Sequence, residues 1–325
     1  MTLILITGGA GYVGSHCTKA ISAAGHDSVV FDNLLFGHRE FARWGPLIEG
    51  DIRDASALDA VFAEHRFDAV MHFAALAYVG ESVTAPGRYY DVNVNGTRTL
   101  LDAMVRAGVR SIIFSSSCAI YGEPGRMPIT EHVAPNPINP YGFSKLVCEH
   151  MMEDFARAHG IKSVRLRYFN AAGADPAAEI GEDHDPETHL IPLVLDVASG
   201  RRADITVFGT DYATPDGTAV RDYVHVDDLA RAHVLALQHL LNNGDTIAIN
   251  LGTGHGASVR QVIDTARHIT GREIIARDAP RRTGDSPVLV ADAKKASEVL
   301  DWAPHYSNLA GIITDAWRWH NKRFR

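Results

Sequence analysis

Short runs of β-branched and other apolar residues alternate with longer helical stretches through the first half of the chain, the pattern of strand–helix–strand units around a parallel sheet covered on both faces. The runs Leu3 to Thr7, Ser28 to Asp32, Ala69 to Phe73, Ser111 to Ser115 and Ser163 to Tyr168 read as strands. Helices are expected to begin near Tyr12, Ala55, Tyr89 and Tyr141, which leaves the connections room for right-handed crossovers. A doubly wound α/β sheet follows.

Past Asn170 the pattern changes. Gly, Pro and acidic residues crowd positions 173–192 and shorter periodic stretches come after them, which predicts a smaller α/β lobe. The expected division gives residues 1–169 and about 222–250 to the first lobe, and about 170–221 and 251–325 to the second. The acidic run from Glu179 to Glu187 holds no Asp-x-Asp-x-Asp-Gly loop and reads as solvated surface rather than a calcium site.

Composition narrows the function classes. With 325 residues, 46% hydrophobic and 22% charged, the chain is a globular protein long enough for two lobes. A net charge of -8 without a long basic block speaks against nucleic acid as a partner. The apolar opening, Met1 to Ile6, runs straight into Thr7-Gly8-Gly9 and is too short for a signal-peptide core or a bilayer span, so a cytoplasmic protein with no membrane partner is expected. Cys17, Cys118 and Cys148 match no zinc spacing and read as reduced, packed thiols, while the 17 histidines are scattered singly; no metal is expected.

The first strand ends in Thr7-Gly8-Gly9-Ala10-Gly11-Tyr12-Val13-Gly14 with a helix behind it. Gly8 permits the tight turn, Gly11 lets the backbone approach a pyrophosphate, and Gly14 lets the helix pack close, as in Rossmann-type dinucleotide sites. The diphosphate would sit at a helix N-terminus, where free N–H groups favour negative charge. The second strand ends in Asp32-Asn33, where a carboxylate meets a ribose 2′-OH and repels a 2′-phosphate, so NAD is preferred over NADP. Arg39, nearby, reads as surface.

Asn139-Pro140 before Tyr141-Gly-Phe-Ser-Lys145 reads as an N-cap and a proline at the first helical position. Tyr141 and Lys145 then share one helical face. A tyrosine titrating near 10 is a poor base at neutral pH, and a neighbouring ammonium favours the phenolate that general-base work needs. Ser115-Ser116-Ser117 closes a strand at the sheet's carboxyl edge, where a hydroxyl can meet the same reacting oxygen.

With these motifs the sequence resembles the extended short-chain dehydrogenases, and within them the branch that epimerises UDP-sugars at C4′. The resemblance runs over nearly the whole chain and includes Gly50-Asp51-Ile52-Arg53, His72-Phe73-Ala74-Ala75, Val79-Gly80-Glu81-Ser82, Arg167-Tyr168-Phe169-Asn170, Arg221 to Asp227 and Arg281-Arg282-Thr283-Gly284-Asp285. It implies Ser117, Tyr141 and Lys145 as the catalytic set. Around the dinucleotide it implies Gly8, Gly11, Tyr12, Val13, Gly14, Asp32, Asn33, Asp51, Ile52, Phe73, Ala74, Ala75, Ala77, Ser115 and Phe169, together with Tyr141 and Lys145. Around a UDP-sugar it implies Asn170, His189, Leu190, Phe208, Arg221, Arg282 and Asp285 beside Ser117 and Tyr141.

The implied activity is NAD-dependent 4-epimerisation of UDP-galactose and UDP-glucose through a 4-keto sugar, by a homodimer whose helices near Tyr89 and Tyr141 form a four-helix bundle. The chain departs from the branch's pattern at Ala77, Val92 and His189. Leu289 stands where a bulkier tyrosine restricts some relatives, which keeps UDP-N-acetylglucosamine open as a substrate, and the Ala75 to Ser82 stretch keeps UDP-xylose open. A 4,6-dehydratase would need an acidic pair where Cys118 and Ala119 stand. A non-catalytic NAD-binding regulator would have no use for Tyr141 and Lys145 in register with Ser117.

Overall fold

The structure is a computed structural model that describes residues 2–282 and 285–324. Met1, and Thr283 and Gly284 of the Arg281 to Asp285 stretch, lie outside the described residues. In chain order the first half forms β1 (Leu3–Thr7), α1 (Tyr12–Ala23), β2 (Asp27–Asp32), β3 (Leu47–Glu49), α2 (Ala55–Glu64), β4 (Ala69–His72), α3 (Val79–Thr84), α4 (Pro86–Tyr89), α5 (Gly96–Ala107), β5 (Ser111–Ser117), α6 (Pro140–His159) and β6 (Lys162–Tyr168). The second half forms β7 (Asn170–Ala172), α7 (Leu190–Ala198), β8 (Ile205–Phe208), β9 (Val220–His225), α8 (Val226–Leu241), β10 (Ile247–Leu251), β11 (Gly256–Ser258), α9 (Val259–Thr270), β12 (Ala276–Ala279), β13 (Val288–Leu289), α10 (Lys294–Leu300) and α11 (Leu309–Arg323).

Seven parallel strands in the order β10-β6-β5-β4-β1-β2-β3 make the central sheet, a Rossmann-type doubly wound arrangement. Because strand side chains alternate, successive residues feed two apolar layers. Ile4, Ile6, Met71, Ile113 and Leu166 pack with Leu229 and Leu237 of α8 and with Trp302. Leu5, Val29, Phe31, Val70 and Phe114 pack with Leu58, Leu101 and Met152 on the other face. That both faces are covered explains why these strands carry continuous apolar runs.

The single helix expected near Tyr89 comes in pieces. Pro86 starts the short α4, and a π-helical turn over Tyr90–Asn95 joins it to α5. The wide turn brings the buried Asn93 side chain inward, where its Oδ1 accepts from Leu76 N–H at 2.8 Å and its Nδ2 donates to Leu76 O and to Ser144 Oγ, each at 3.0 Å.

Beyond the sheet, β9 pairs with β7, β11 and β13, and β8 pairs with β12. These strands share a separate core with α7, α9 and α11 that includes Val194, Val207, Ile263 and Ile313. The acidic run expected to be solvated folds inward instead: Glu182 is only 7% exposed, and its backbone carbonyl accepts from Trp319 Nε1 at 3.0 Å. No helix among the described residues is long and apolar enough to cross a membrane.

Candidate active site

The turn between β1 and α1 is shaped by contacts that only hydrogen satisfies. Gly8 has φ +75°, and a Cβ there would come within 2.5 Å of Ala74 N. A Cβ on Gly14 would meet Gly8 O at 2.1 Å, so α1 can seat on the turn only without one. Gly11 caps α1 with no side-chain acceptor, which leaves the first-turn N–H groups free for an anion.

Asp32 closes β2 beside this turn. Its Oδ2 accepts from Ala10 N–H at 2.9 Å and its Oδ1 from Leu34 N–H at 2.8 Å. Burial raises its pKa and those two N–H groups oppose the rise. Further along, Asn33 donates to Asp51 at 3.1 Å, and Arg53 holds the Asp51 carboxyl down to about 2. Arg39 is turned to the surface and paired with Glu49.

At the carboxyl end of β5 the serines divide by strand alternation. Ser115 and Ser117 face the cleft. Ser116, one residue out of phase, donates to Glu149 Oε1 at 2.5 Å in a buried network. There Arg167 donates to Glu149 Oε2 at 2.5 Å and to Tyr121 Oη at 2.9 Å. Helix α6 starts as its cap signals predict, with Asn139 Oδ1 accepting from Gly142 N–H at 2.9 Å and Pro140 in the first turn.

Lys145, 3% exposed, donates from Nζ to Ser115 O at 2.7 Å, which fixes the ammonium one turn below Tyr141. Burial lowers its pKa to about 8, so the cation still prevails at neutral pH. Burial raises the Tyr141 phenol to about 12, opposed by the Ser117 hydroxyl. The arrangement thus supplies a proton-carrying phenol, a hydroxyl beside it and a buried cation behind it.

These groups line one cleft of about 480 Å³. Every residue expected to meet a dinucleotide lines it, from Asp32 and Asp51 at one end to Tyr141 and Lys145. Of the expected sugar-nucleotide contacts, Asn170, His189, Leu190, Arg221 and Asp285 line it as well, with Arg221 and Asp285 ion-paired. Phe208 and Arg282 are not brought to its wall. The Arg282 guanidinium instead stacks on the Phe208 ring at 3.8 Å, because an exposed planar cation finds a partner in an aromatic face.

Several wall residues escaped sequence reasoning, among them Phe36, Tyr78, Tyr223, Glu182 and His184. Glu182, His184, Glu187 and His189 bring one ligand-type atom each to within 4.8 Å of one another. Their spacing, Glu-x-His-x-x-Glu-x-His, begins within the acidic run expected to be solvated.

A dinucleotide-type glycine turn on a seven-stranded parallel sheet, with a serine, tyrosine and lysine at its carboxyl edge, defines a nucleotide-dependent enzyme class. The chain belongs to the NAD dependent epimerase/dehydratase family, whose model matches residues 4–252. Within it, the chain is 52% identical over 320 residues to a UDP-glucose 4-epimerase of Rhizobium meliloti, covering 98% of this chain and 97% of that one. It superposes on the crystal structure of UDP-glucose 4-epimerase from Brucella ovis in complex with NAD with a TM-score of 0.96 at 50% identity, covering 98% and 99% of the two chains. A UDP-glucose-4-epimerase from Stenotrophomonas maltophila, solved with NAD and formylated UDP-arabinopyranose, matches with a TM-score of 0.95 at 41% identity over 99% and 98%.

Proposed function

We propose that the protein interconverts UDP-galactose and UDP-glucose at C4′ with a resident NAD. The observation that carries this reading is the joining of Ser117, Tyr141 and Lys145 to the glycine turn and to Asn170, Arg221 and Asp285 in a single cleft. The cradle fits the cofactor: Gly8 and Gly14 sit where any side chain would clash, the α1 N-terminus has no competing cap, and Asp32 closes β2 beside the turn. We assign the adenosine end to Asp32, Asn33, Asp51 and Ile52, the pyrophosphate to Gly11 through Gly14, and the nicotinamide end to Phe73 to Ala77, Ser115, Tyr141, Lys145 and Phe169.

When bound, NAD supplies an acceptor for the hydride at C4′ and returns it to either face. Tyr141 takes the 4′-hydroxyl proton and gives it back, while Ser117 holds the same oxygen. A phenol held near 12 by burial is a reluctant base; the Ser117 hydroxyl opposes the rise, and we assign to the fixed, buried Lys145 cation the further stabilisation of the anion. Arg221 anchors the diphosphate with its planar fork while the sugar turns, so binding is concentrated on the nucleotide. Asn170, His189 and Leu190 face the sugar, and Leu289, which lines the cleft, leaves room for an N-acetyl group.

We divide the chain as residues 1–169 with about 222–250 for the dinucleotide and about 170–221 with 251–325 for the UDP-sugar. A homodimer fits the exposed apolar surface of Val83, Tyr90 and Phe143, and three free, buried cysteines fit a cytoplasmic location. The test is incubation of purified protein with UDP-galactose without added cofactor and chromatographic resolution of products, with UDP-N-acetylglucosamine and UDP-xylose in parallel. UDP-glucose is expected. Tyr141→Phe should lose roughly 10²–10⁴ in turnover while retaining NAD. No interconversion of any of the three, even with NAD added, sinks the assignment.

A further inference from the structure

We infer that Glu182, His184, Glu187 and His189 form a binding site for one divalent first-row cation of the Zn²⁺ class. All four come from one eight-residue segment ending at the start of α7. Ligands 2.0–2.2 Å from a tetrahedral ion lie roughly 3.3–3.6 Å from each other. Here Glu182 Oε1 lies 3.4 Å from His184 Nδ1, His184 Nδ1 lies 3.6 Å from Glu187 Oε2, and His189 Nδ1 lies 3.9 Å from Glu187 Oε1. These are ion-pair distances while the imidazoles carry their protons; the two to His184 match the edges of a coordination tetrahedron, and the Glu187 carboxylate reaches His184 through Oε2 and His189 through Oε1. Glu182 and His189 are in direct contact, and an ion between them takes the place of the imidazolium proton.

The segment is held in place independently of any ion. Trp319 Nε1 donates to Glu182 O at 3.0 Å, Arg323 Nε donates to the Asp183 carboxylate at 2.6 Å, and Glu187 Oε1 accepts the Thr188 and His189 N–H groups at 2.7 and 2.8 Å. Two polar atoms at the cluster lack a partner. His184 Nδ1 is buried without a hydrogen bond, and so is the hydroxyl of Tyr78, which is nine-tenths buried. The Tyr78 ring stands edge-on 6.0 Å from the His184 ring, and after burial itself the Glu187 and Glu182 carboxylates are the main influences raising its phenol pKa. An ion at the cluster would fill the vacant coordination of His184 and offer Tyr78 an ion-bound water to pair with.

The donor set selects the ion. Two neutral imidazoles with two carboxylates suit Zn²⁺ or Co²⁺ over Ca²⁺ or Mg²⁺, and their two negative charges neutralise the ion in a half-buried place. Each imidazole releases its proton to solvent on binding. Glu182, His184 and His189 also line the cleft of the reaction assigned above, so the test reads metal binding and not turnover.

The chelator-treated full-length protein is titrated with Co²⁺ alone and followed by visible absorption, then challenged with Zn²⁺. One equivalent of Co²⁺ per chain should give the d–d bands of a four-coordinate ion, and Zn²⁺ should abolish them. His184→Ala and Glu187→Gln, measured separately, should each weaken binding at least about tenfold. Zn²⁺ should also raise the melting temperature of the unmodified protein. Absence of a one-to-one transition in the unmodified protein overturns the proposal. So does binding unchanged in both variants, which would assign the ion to scattered surface histidines.

Discussion

Asn93 gives the sharpest test of how the cleft wall is held. It is 1% exposed, and its side chain makes three hydrogen bonds: one from Leu76 N–H, one to Leu76 O and one to Ser144 Oγ. Asn93→Ala removes all three and leaves both main-chain groups of Leu76, itself 2% exposed, without those partners. Each buried group so orphaned costs about 1–3 kcal/mol, so the loss should be about 2–6 kcal/mol. Urea unfolding followed by circular dichroism reads it as a fall in midpoint at constant slope. Because Leu76 lies between Ala75 and Ala77 on the cleft wall, and Ser144 donates to Tyr141 O, retained dinucleotide should fall with stability. Asn93→Asp, which keeps the acceptor but loses both donors, should lose a comparable amount. A loss below about 1 kcal/mol would falsify the idea that Asn93 clamps the wall to α6.

Arg167→Met leaves the Glu149 carboxylate with Ser116 as its remaining hydrogen-bond partner and should cost about 3–5 kcal/mol, most of it recovered in the Arg167→Met, Glu149→Leu double variant; a double-variant loss equal to the sum of the Arg167→Met and Glu149→Leu losses would show no coupling. Gly14→Ala drives a Cβ against Gly8 O and should cost about 3 kcal/mol or more together with dinucleotide retention, read by thermal melting; an unchanged melting temperature contradicts the close seat of α1. Burial holds His16 and His233 down to about 4 and His72 to about 3, whereas the unfolded chain protonates near 6.5. Their neutral forms therefore contribute stability in full above about pH 6.5, lost as pH falls toward 4, at up to about 1.36 kcal/mol per unit for each histidine. Urea midpoints at pH 7, 6 and 5 should decline accordingly, and a flat series rejects the argument.

The parts that were readable from sequence are those where one local rule decides the geometry. The glycine turn, the Asn139-Pro140 helix start and the five strands all depend on near neighbours or on burial of both sheet faces. What escaped depends on residues distant along the chain. The break of the helix near Tyr89 into α4, a π-helical turn and α5 accompanies Asn93 reaching back to Leu76 and across to Ser144. Glu182 was read as solvated because nothing local shows Trp319 closing over it. Phe208 and Arg282 satisfy each other's faces instead of reaching the cleft, and periodicity carries no sign of such a pair.

The outermost strand of the central sheet is also the last of its seven to be made. β10 pairs with β6, although β7, α7, β8, β9 and α8 come between them in sequence. During synthesis, until Leu251 has left the ribosome, β6 stands at the sheet margin with its main-chain donors and acceptors open and Val164 and Leu166 beside them. An uncovered apolar margin of that kind invites pairing with another nascent chain. The interval between the synthesis of Tyr168 and of Leu251 is therefore when this margin is open, and yield in a cell should respond to translation rate and chaperone supply.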